Sequence, residues 1–392
     1  MRQRNFCYYS LFIIIAVLIF VNLYFFKTSE LKARQKEKFP SSILFQNLPS
    51  DSTGLYRTWQ IFKKILQESS SIDVTIISQT SVQNLFNLQH LVKYWDGPVS
   101  VSVFAPGEEI STAIEAIYSL RQCNYAIKRN LDFSLVLALS HPPRHNDLAV
   151  YLQKVANHPY VCPVRILSKD SRELINYGNL NVPYPVNLLR NVAIANSVTS
   201  HILVIDIDMV PSANLRQHFQ RTYPMIQREN GVYVLPTFEL REGIADPETK
   251  DQLIRLWDLG EARPFYEQVC WKCQKHTDYN RWKKSSSAAL SVSYRIEWKD
   301  PWEPFFIADR NTAVYDERFK QYGFNRISQV CEMHISGYDF YVLDNAFLIH
   351  HGFKEKTLFH KSKDDENAMN RDHFRVFKHE LKVKYPESKR QC

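Results

Sequence analysis

Two rhythms of hydrophobic and polar positions run along most of the chain. Residues 73–78 (DVTIIS) read as a first strand, and 98–104 (PVSVSVF) alternates strictly, the two-residue period of a second strand. Residues 132–140 (DFSLVLALS), 201–206 (HILVID) and 231–236 (GVYVLP) are apolar nearly throughout, as strands buried on both faces are. Between them, 82–94, 108–122 and 188–197 have helical spacing; in 108–122, Ile110, Ala113, Ile114 and Ile117 share one face. Strands alternating with helices predict an α/β fold whose mixed, mostly parallel sheet is covered on both sides. From Glu239 onward the chain is richer in Trp, Lys and Pro, and no clear element order emerges. It reads as the second half of the same domain.

One segment has neither rhythm. Tyr8 to Phe26 (YYSLFIIIAVLIFVNLYFF) carries no charge and is long enough to cross a bilayer core at 1.5 Å per residue. No small-x-small cleavage pattern follows it, which favours an uncleaved signal-anchor over a removed leader. Basic residues lie on both sides, Arg2 and Arg4 before and Lys27, Lys32, Arg34, Lys36 and Lys38 after, so charge alone leaves the orientation open. The expected organisation is a tail (1–7), a transmembrane anchor (8–26), a Lys/Glu/Gln-rich stem (27–54) and a globular domain (55–392).

Composition removes several classes. With 392 residues and 45% hydrophobic content, the chain has ample material for a core, which excludes collagen-like, low-complexity and disordered proteins. The formal charge of +8 comes from 49 Lys and Arg scattered among 41 Asp and Glu. That is a weak preference for anionic ligands and not a nucleic-acid footprint. Leaving out Cys7 at the membrane edge, six cysteines permit up to three disulfides in an oxidising compartment, with the pairing open. Cys270-Trp-Lys-Cys273 with His276 lacks the other half of a zinc site, so bridging or free thiols are the expectation there. Absence of a Walker A loop, a G-x-G-x-x-G turn, a G-x-S-x-G elbow and an H-E-x-x-H helix disfavours ATPases, classical dehydrogenases, α/β-hydrolases and zincins.

The sharpest chemical feature is the apolar strand that runs into Asp206-Ile207-Asp208 and stops at Pro211. Ligands of open α/β sheets bind beyond the carboxyl ends of strands. Alternate residues of an extended segment project the same way, so both carboxylates can face one Mg²⁺ or Mn²⁺. The alternative is a solvated turn, and the two readings carry about equal weight. A second element is the apolar run ending in His350-His351-Gly352-Phe353-Lys354, where one imidazole can complete a metal site and Lys354 can meet phosphate. A third is Asp316-Glu317 and, further on, Glu332: carboxylates able to act as a general base or merely to support helix starts.

Four ordered blocks, YPVNLLRNVA, HILVIDIDMVPS, YDERFKQYGFNRISQVCEMH and VLDNAFLIHHGFK, resemble glycosyltransferase family 49. The likeness covers about Ile72 to Lys354. It implies a GT-A, Rossmann-like domain on a Golgi type II membrane protein with a lumenal catalytic part. It also implies Mn²⁺, a UDP-sugar donor and a glycan or glycoprotein acceptor. Glucuronic acid would pass from UDP-glucuronate to a xylose-terminated glycan with inversion. Carried over by position, Asp206, Asp208 and His350 are the metal ligands. Arg190, Asn191, Asp206, Asp208 and Lys354 contact the nucleotide-sugar, and 75–81 cradles the uridine. Asp316 is taken as the catalytic base, with Glu317 and Glu332 as rivals, and Arg310, Lys283 and Lys284 as candidates for the sugar carboxylate. Where the family pattern reads His-Lys-Gly-Phe-Lys, this chain has His351, so that histidine falls on a non-ligand position. Rival readings are another UDP-sugar on the same fold, a catalytically silent binding homologue, and a metal-dependent phosphoesterase, whose denser ligand set is missing. A homodimer is left open.

Overall fold

A computed structural model describes residues 53–65, 71–145, 148–156, 162, 177–355 and 363–392. The expected tail and anchor, and all but the end of the stem, lie outside the described residues. Among the described residues no helix is long and apolar enough to cross a membrane.

The first half of the chain supplies β1 (Tyr56–Phe62), β2 (Val74–Ser81), β3 (Val99–Phe104), β4 (Leu131–Ala138), β5 (His201–Val204) and β6 (Met209–Pro211). The second supplies β7 (Gly231–Leu235), β8 (Thr237–Leu240), β9 (Ala262–Pro264), β10 (Ser291–Ile296), β11 (Phe305–Asp309), β12 (Asp339–Asp344) and β13 (Leu348–His351). Nine of them form one sheet in the order β1-β4-β3-β2-β5-β11-β7-β12-β10, and four form a second, β6-β13-β8-β9.

The parallel block β4-β3-β2-β5 is the part that the apolar runs announce. Its strands are buried along almost their whole length, as strands covered on both faces must be. Beyond it the sheet is more mixed than expected. β11 runs antiparallel to both β5 and β7, β7 and β12 are parallel, and antiparallel β1 and β10 close the two edges.

Helix Glu109–Cys123 buries Ile110, Ala113, Ile114 and Ile117, the face expected from their spacing. The 82–94 segment is two pieces, a 3₁₀ stretch Val82–Asn87 and an α-helix Leu88–Tyr94. Helix Val186–Ala195 starts two residues earlier than the spacing suggests, directly after Pro185 at its N-cap. Large aromatics, Trp282, Trp302, Phe238, Phe340 and Phe347 among them, fill a second core around β7, β8 and β12. All six cysteines in the described residues are paired: Cys123–Cys162, Cys270–Cys273 and Cys331–Cys392. The three bridges that the count allowed are all present, and the Cys270 and Cys273 thiols are not free for zinc.

Candidate active site

β5 ends at Val204, and the chain then turns through 205–208 before β6 begins. The turn is closed by the Met209 amide, which donates to the Asp206 carbonyl at 3.1 Å. Asp206 and Asp208 therefore do not share an extended face; the turn aims them at different partners. Both carboxylates stay partly exposed in a cleft at the carboxyl end of the parallel strands, where open α/β sheets bind ligands.

Asp206 Oδ1 faces two guanidinium groups, Arg190 Nη2 and Arg326 Nη2, each at 3.4 Å. Arg190 comes from helix Val186–Ala195 and is also held by Asn187 Oδ1 and Asn325 Oδ1. Arg326, on helix Asn325–Ile335, lies 4.0 Å over the Phe305 ring and donates to the Val204 carbonyl. Both side chains are buried. Burial, then the neighbouring Arg326, pulls the Arg190 guanidinium below its ordinary pKa. Two guanidiniums sharing one carboxylate leave surplus positive charge in a cleft of low dielectric, where an anion is strongly favoured. The buried Nε of Arg190 has no hydrogen-bond partner among the described residues.

Asp208 belongs to the opposite wall. β13 pairs antiparallel with β6, and the register sets His350 against Met209. His350 Nε2 thereby comes to 3.0 Å from Asp208 Oδ2, with Lys354 Nζ at 3.7 Å from the same oxygen. Burial raises the Asp208 pKa, but the hydrogen bond and charge of His350 and the charge of Lys354 outweigh it, and its carboxyl is held well below the usual range. His350 Nδ1 donates to the Gly352 carbonyl at 3.0 Å, which a positive φ of 82° at Gly352 turns back toward the ring. His350 Nε2 is left to face the Asp208 carboxylate, and an imidazole nitrogen beside a carboxylate oxygen is a donor pair that suits a divalent ion such as Mn²⁺ or Zn²⁺.

The wall is braced from behind by Glu239 on β8, which is fully buried. It accepts from Arg263 Nε (2.7 Å), from the Tyr266 amide (2.9 Å) and from the Lys354 amide (3.1 Å). One carboxylate thus fixes both the Lys354 loop and Tyr266, whose backbone is held at a positive φ of 59°.

The cleft has two adjoining parts. A cavity of ≈ 280 Å³ is lined by Thr80, Ser81, Asn84, Asn87, Asp208, His350 and Lys354, at the carboxyl end of β2. A larger one of ≈ 940 Å³ is lined by Arg190, Arg326, Glu303, Tyr266, Tyr322 and Phe324. Asp206, Gln79 and Tyr184 border both. Gln79 Oε1 accepts from the Tyr184 hydroxyl, and its amide reaches Asp206 at 3.5 Å. Glu303, like Arg326, is a cleft residue that sequence reasoning missed. Burial pushes its carboxyl up to about 7, against the pull of Arg326 and Arg190 and with some help from Asp206. A carboxyl at that value is poised to exchange a proton near neutral pH. Nothing in Trp302-Glu303-Pro304 marks it out in sequence; the fold brings it to the cleft at the start of β11.

Other predicted residues lie elsewhere. Asn191 turns its side chain to the Tyr315 backbone and the Glu317 carboxylate, locking that loop, and lines neither cavity. Asp316 lines neither cavity. Its Oδ1 accepts from the Arg318 amide and guanidinium, and Arg318 is forked onto Glu380. Glu332 accepts from Lys384 and Tyr385 and anchors the C-terminal segment. Arg310 donates to the Ser197 carbonyl, Lys283 pairs with Asp258, and Lys284 lines a separate surface pocket. None of these three lines the cleft. His351 points away from His350 into a group with His90 and Asp246 that is able to hold a metal ion.

Residues 73–386 match the model of a family described as glycosyl-transferase for dystroglycan. The chain is 42% identical over 366 residues to beta-1,4-glucuronyltransferase 1 of Danio rerio, covering 87% of this chain and 83% of that one. With beta-1,4-glucuronyltransferase 1 of Homo sapiens it is 39% identical over 354 residues, covering 87% and 82%. Among solved structures, S. aureus TarS 1–349 in complex with UDP-GlcNAc aligns at a TM-score of 0.43 and 11% identity, covering 82% of this chain and 68% of that one.

Proposed function

The chain belongs to the family of glycosyltransferases for dystroglycan, and from that premise we propose that it transfers glucuronic acid from UDP-glucuronate, with inversion, to a xylose-terminated glycan. The observation that carries the reading is the convergence of Asp206, Asp208, His350, Lys354, Arg190 and Arg326 on one cleft at the strand ends. Identity near 40% to two proteins named for this activity supports the choice of sugar.

In this reading the domain has the GT-A arrangement, and the nucleotide occupies the smaller cavity against Thr80, Ser81 and Asn84. Asp206, Asp208 and His350 would hold Mn²⁺, whose charge, when bound, neutralises the diphosphate leaving group. Arg190, Arg326 and Lys354 receive the remaining anionic charge of the donor. The acceptor enters the larger cavity among Tyr266, Tyr322 and Phe324, whose rings suit a sugar face. Glu303 takes the proton of the acceptor hydroxyl as that oxygen bonds to the anomeric carbon and the bond to UDP breaks. A single displacement of an α-linked donor leaves a β-linked product.

We also place the enzyme in the Golgi as a single-pass type II protein anchored by residues 8–26. Three disulfides among the described residues support an oxidising compartment.

The test is turnover by the full-length chain with a panel of UDP-sugars and a β-xyloside acceptor, following UDP release and product mass. Transfer from UDP-glucuronate, lost with EDTA and in Asp208→Asn, is the expected result. Transfer from a different donor overturns the substrate and keeps the chemistry. Binding of UDP without turnover, over a broad set of acceptors, favours a silent homologue.

A further inference from the structure

We propose that His90, Asp246 and His351 form a second cation site, distinct from the donor cleft, that takes a zinc-class divalent ion. His351 follows His350 on β13, and successive strand residues project to opposite faces. His350 therefore serves the donor cleft, and His351 turns to the far side. There its Nε2 lies 2.6 Å from Asp246 Oδ1, while His90 Nε2 lies 3.0 Å from Asp246 Oδ2. The two imidazole rings are 4.8 Å apart, and the three ligand atoms all fall within 4.8 Å of one another.

Three observations make this a site and not a chance contact. First, the ligands come from three separate segments: helix Leu88–Tyr94, the stretch between β8 and helix Lys250–Asp258, and β13. Second, most of residues 241–249 are exposed, yet Asp246 is turned inward until only 8% of its side chain meets solvent. Tyr94, one helical turn after His90 on the same face, also bonds to the Asp246 carboxylate. Third, the histidine side chains remain 34% and 30% exposed, so an ion has an entry path and a coordination position open to water.

Two imidazole nitrogens and one carboxylate oxygen are the donor set of open tetrahedral zinc sites. Ligand atoms around such an ion stand roughly 3.3 Å apart, given bonds of about 2.0 Å, so the 2.6 and 3.0 Å separations between imidazole and carboxylate would widen on binding. The nitrogen-rich set also ranks Zn²⁺ and Co²⁺ above Mn²⁺. Bound there, the ion would pin the end of β13, and with it the backbone that aims His350 at Asp208. The inference rests on this cluster alone and stands whatever sugar the enzyme transfers.

The experiment uses the full-length chain carrying Asp208→Asn, which disables the donor-side ligand set. Co²⁺ and Zn²⁺ are added alone, and retained metal is counted after desalting. The expected result is one equivalent of Co²⁺ with the intense visible bands of tetrahedral coordination, displaced by Zn²⁺, and a raised Tm. Adding His90→Asn or His351→Asn should weaken retention by about 100-fold or more, beyond the loss typical of an outer partner. His90 is partly exposed on a surface helix, so its variant keeps the fold and decides the matter even if the His351 variant does not; circular dichroism verifies this. No retained metal in the Asp208→Asn protein, or equal retention in the folded His90→Asn protein, overturns the proposal.

Discussion

Asp208 and His350 are 142 residues apart in the chain, and the pairing of two short strands brings Oδ2 of one to 3.0 Å from Nε2 of the other. The β6–β13 register is what delivers the ring: with His350 opposite Met209, the imidazole reaches the residue just before the strand. A slip of one residue would aim His351 there instead. Removing either partner leaves the other unsatisfied and breaks the proposed metal-binding set. His350→Ala and Asp208→Asn are therefore expected to lower kcat/KM by about 10²–10³-fold, on the scale of losing one transition-state charge stabiliser. EDTA should abolish turnover in the parent protein, and Mn²⁺ should restore it. Full activity of His350→Ala at saturating Mn²⁺ would remove this residue from the ligand set.

Glu303 and Asp316 make opposite predictions. Glu303 faces the cleft with its carboxyl raised to about 7, whereas Asp316 spends its oxygen on Arg318. Glu303→Gln should cut kcat by about 10²–10⁴-fold with little change in UDP affinity, the range for a lost general base. A base works only when deprotonated, so in the parent protein kcat/KM should rise with pH through about 7 and then level off. The Gln variant should lose that limb. Asp316→Asn should keep its turnover and lose less than about 1 kcal/mol of stability, the usual worth of a partly exposed pair. The reverse pattern would restore Asp316 as the base.

What could be read from the chain follows the strength of its periodic signal. β2 to β4 are six to eight residues long, and the four-residue β5 sits inside the longer apolar run 201–205, so their succession and burial were legible. β1 carries buried Thr58 and Gln60 among its apolar residues, and the polar letters mask it. β6, β8, β9 and β13 are three or four residues long, too short for any period to register. The same difference governs the site. Asp206, Asp208 and His350 stand at strand ends that the pattern locates. Arg326 and Glu303 reach the cleft only through the antiparallel insertion of β11 and the helix after it, which no local spacing encodes. Glu239, buried under the Lys354 loop, reads in sequence as an ordinary strand acid.

Arg326 tests the charge argument separately from the metal. Its guanidinium shares Asp206 with Arg190 but makes fewer structural bonds, since Arg190 also holds Asn187 and Asn325. Arg326→Met keeps an unbranched apolar side chain beside Phe305 and removes the guanidinium with its charge. It should weaken donor binding and turnover together, with kcat/KM down about 10²-fold and a melting temperature close to the parent. Arg190→Met should lose comparable activity and also melt several degrees lower. Equal melting of the two variants would contradict the division of labour drawn here.

Glu109 offers a stability test remote from the chemistry. It stands in the first turn of helix Glu109–Cys123, where its Oε2 is buried with no hydrogen-bond partner among the described residues, and burial pushes its carboxyl up to about 7. The unfolded chain titrates near 4.5, so the folded state binds the proton more tightly. The contribution of this group is then fully present below about pH 4.5 and is lost as pH rises through about 7. Glu109→Gln removes the ionisable group, so it should stabilise the protein above pH 7. Partial solvent screening discounts the gain to roughly 1 kcal/mol. Between pH 4.5 and 7 the difference between the two proteins should shrink steadily as the parent carboxyl takes up its proton. Urea unfolding at pH 5 and pH 8 checks this directly. A variant no more stable than the parent at pH 8 would show that Glu109 is solvated in solution and that its burial carries no cost.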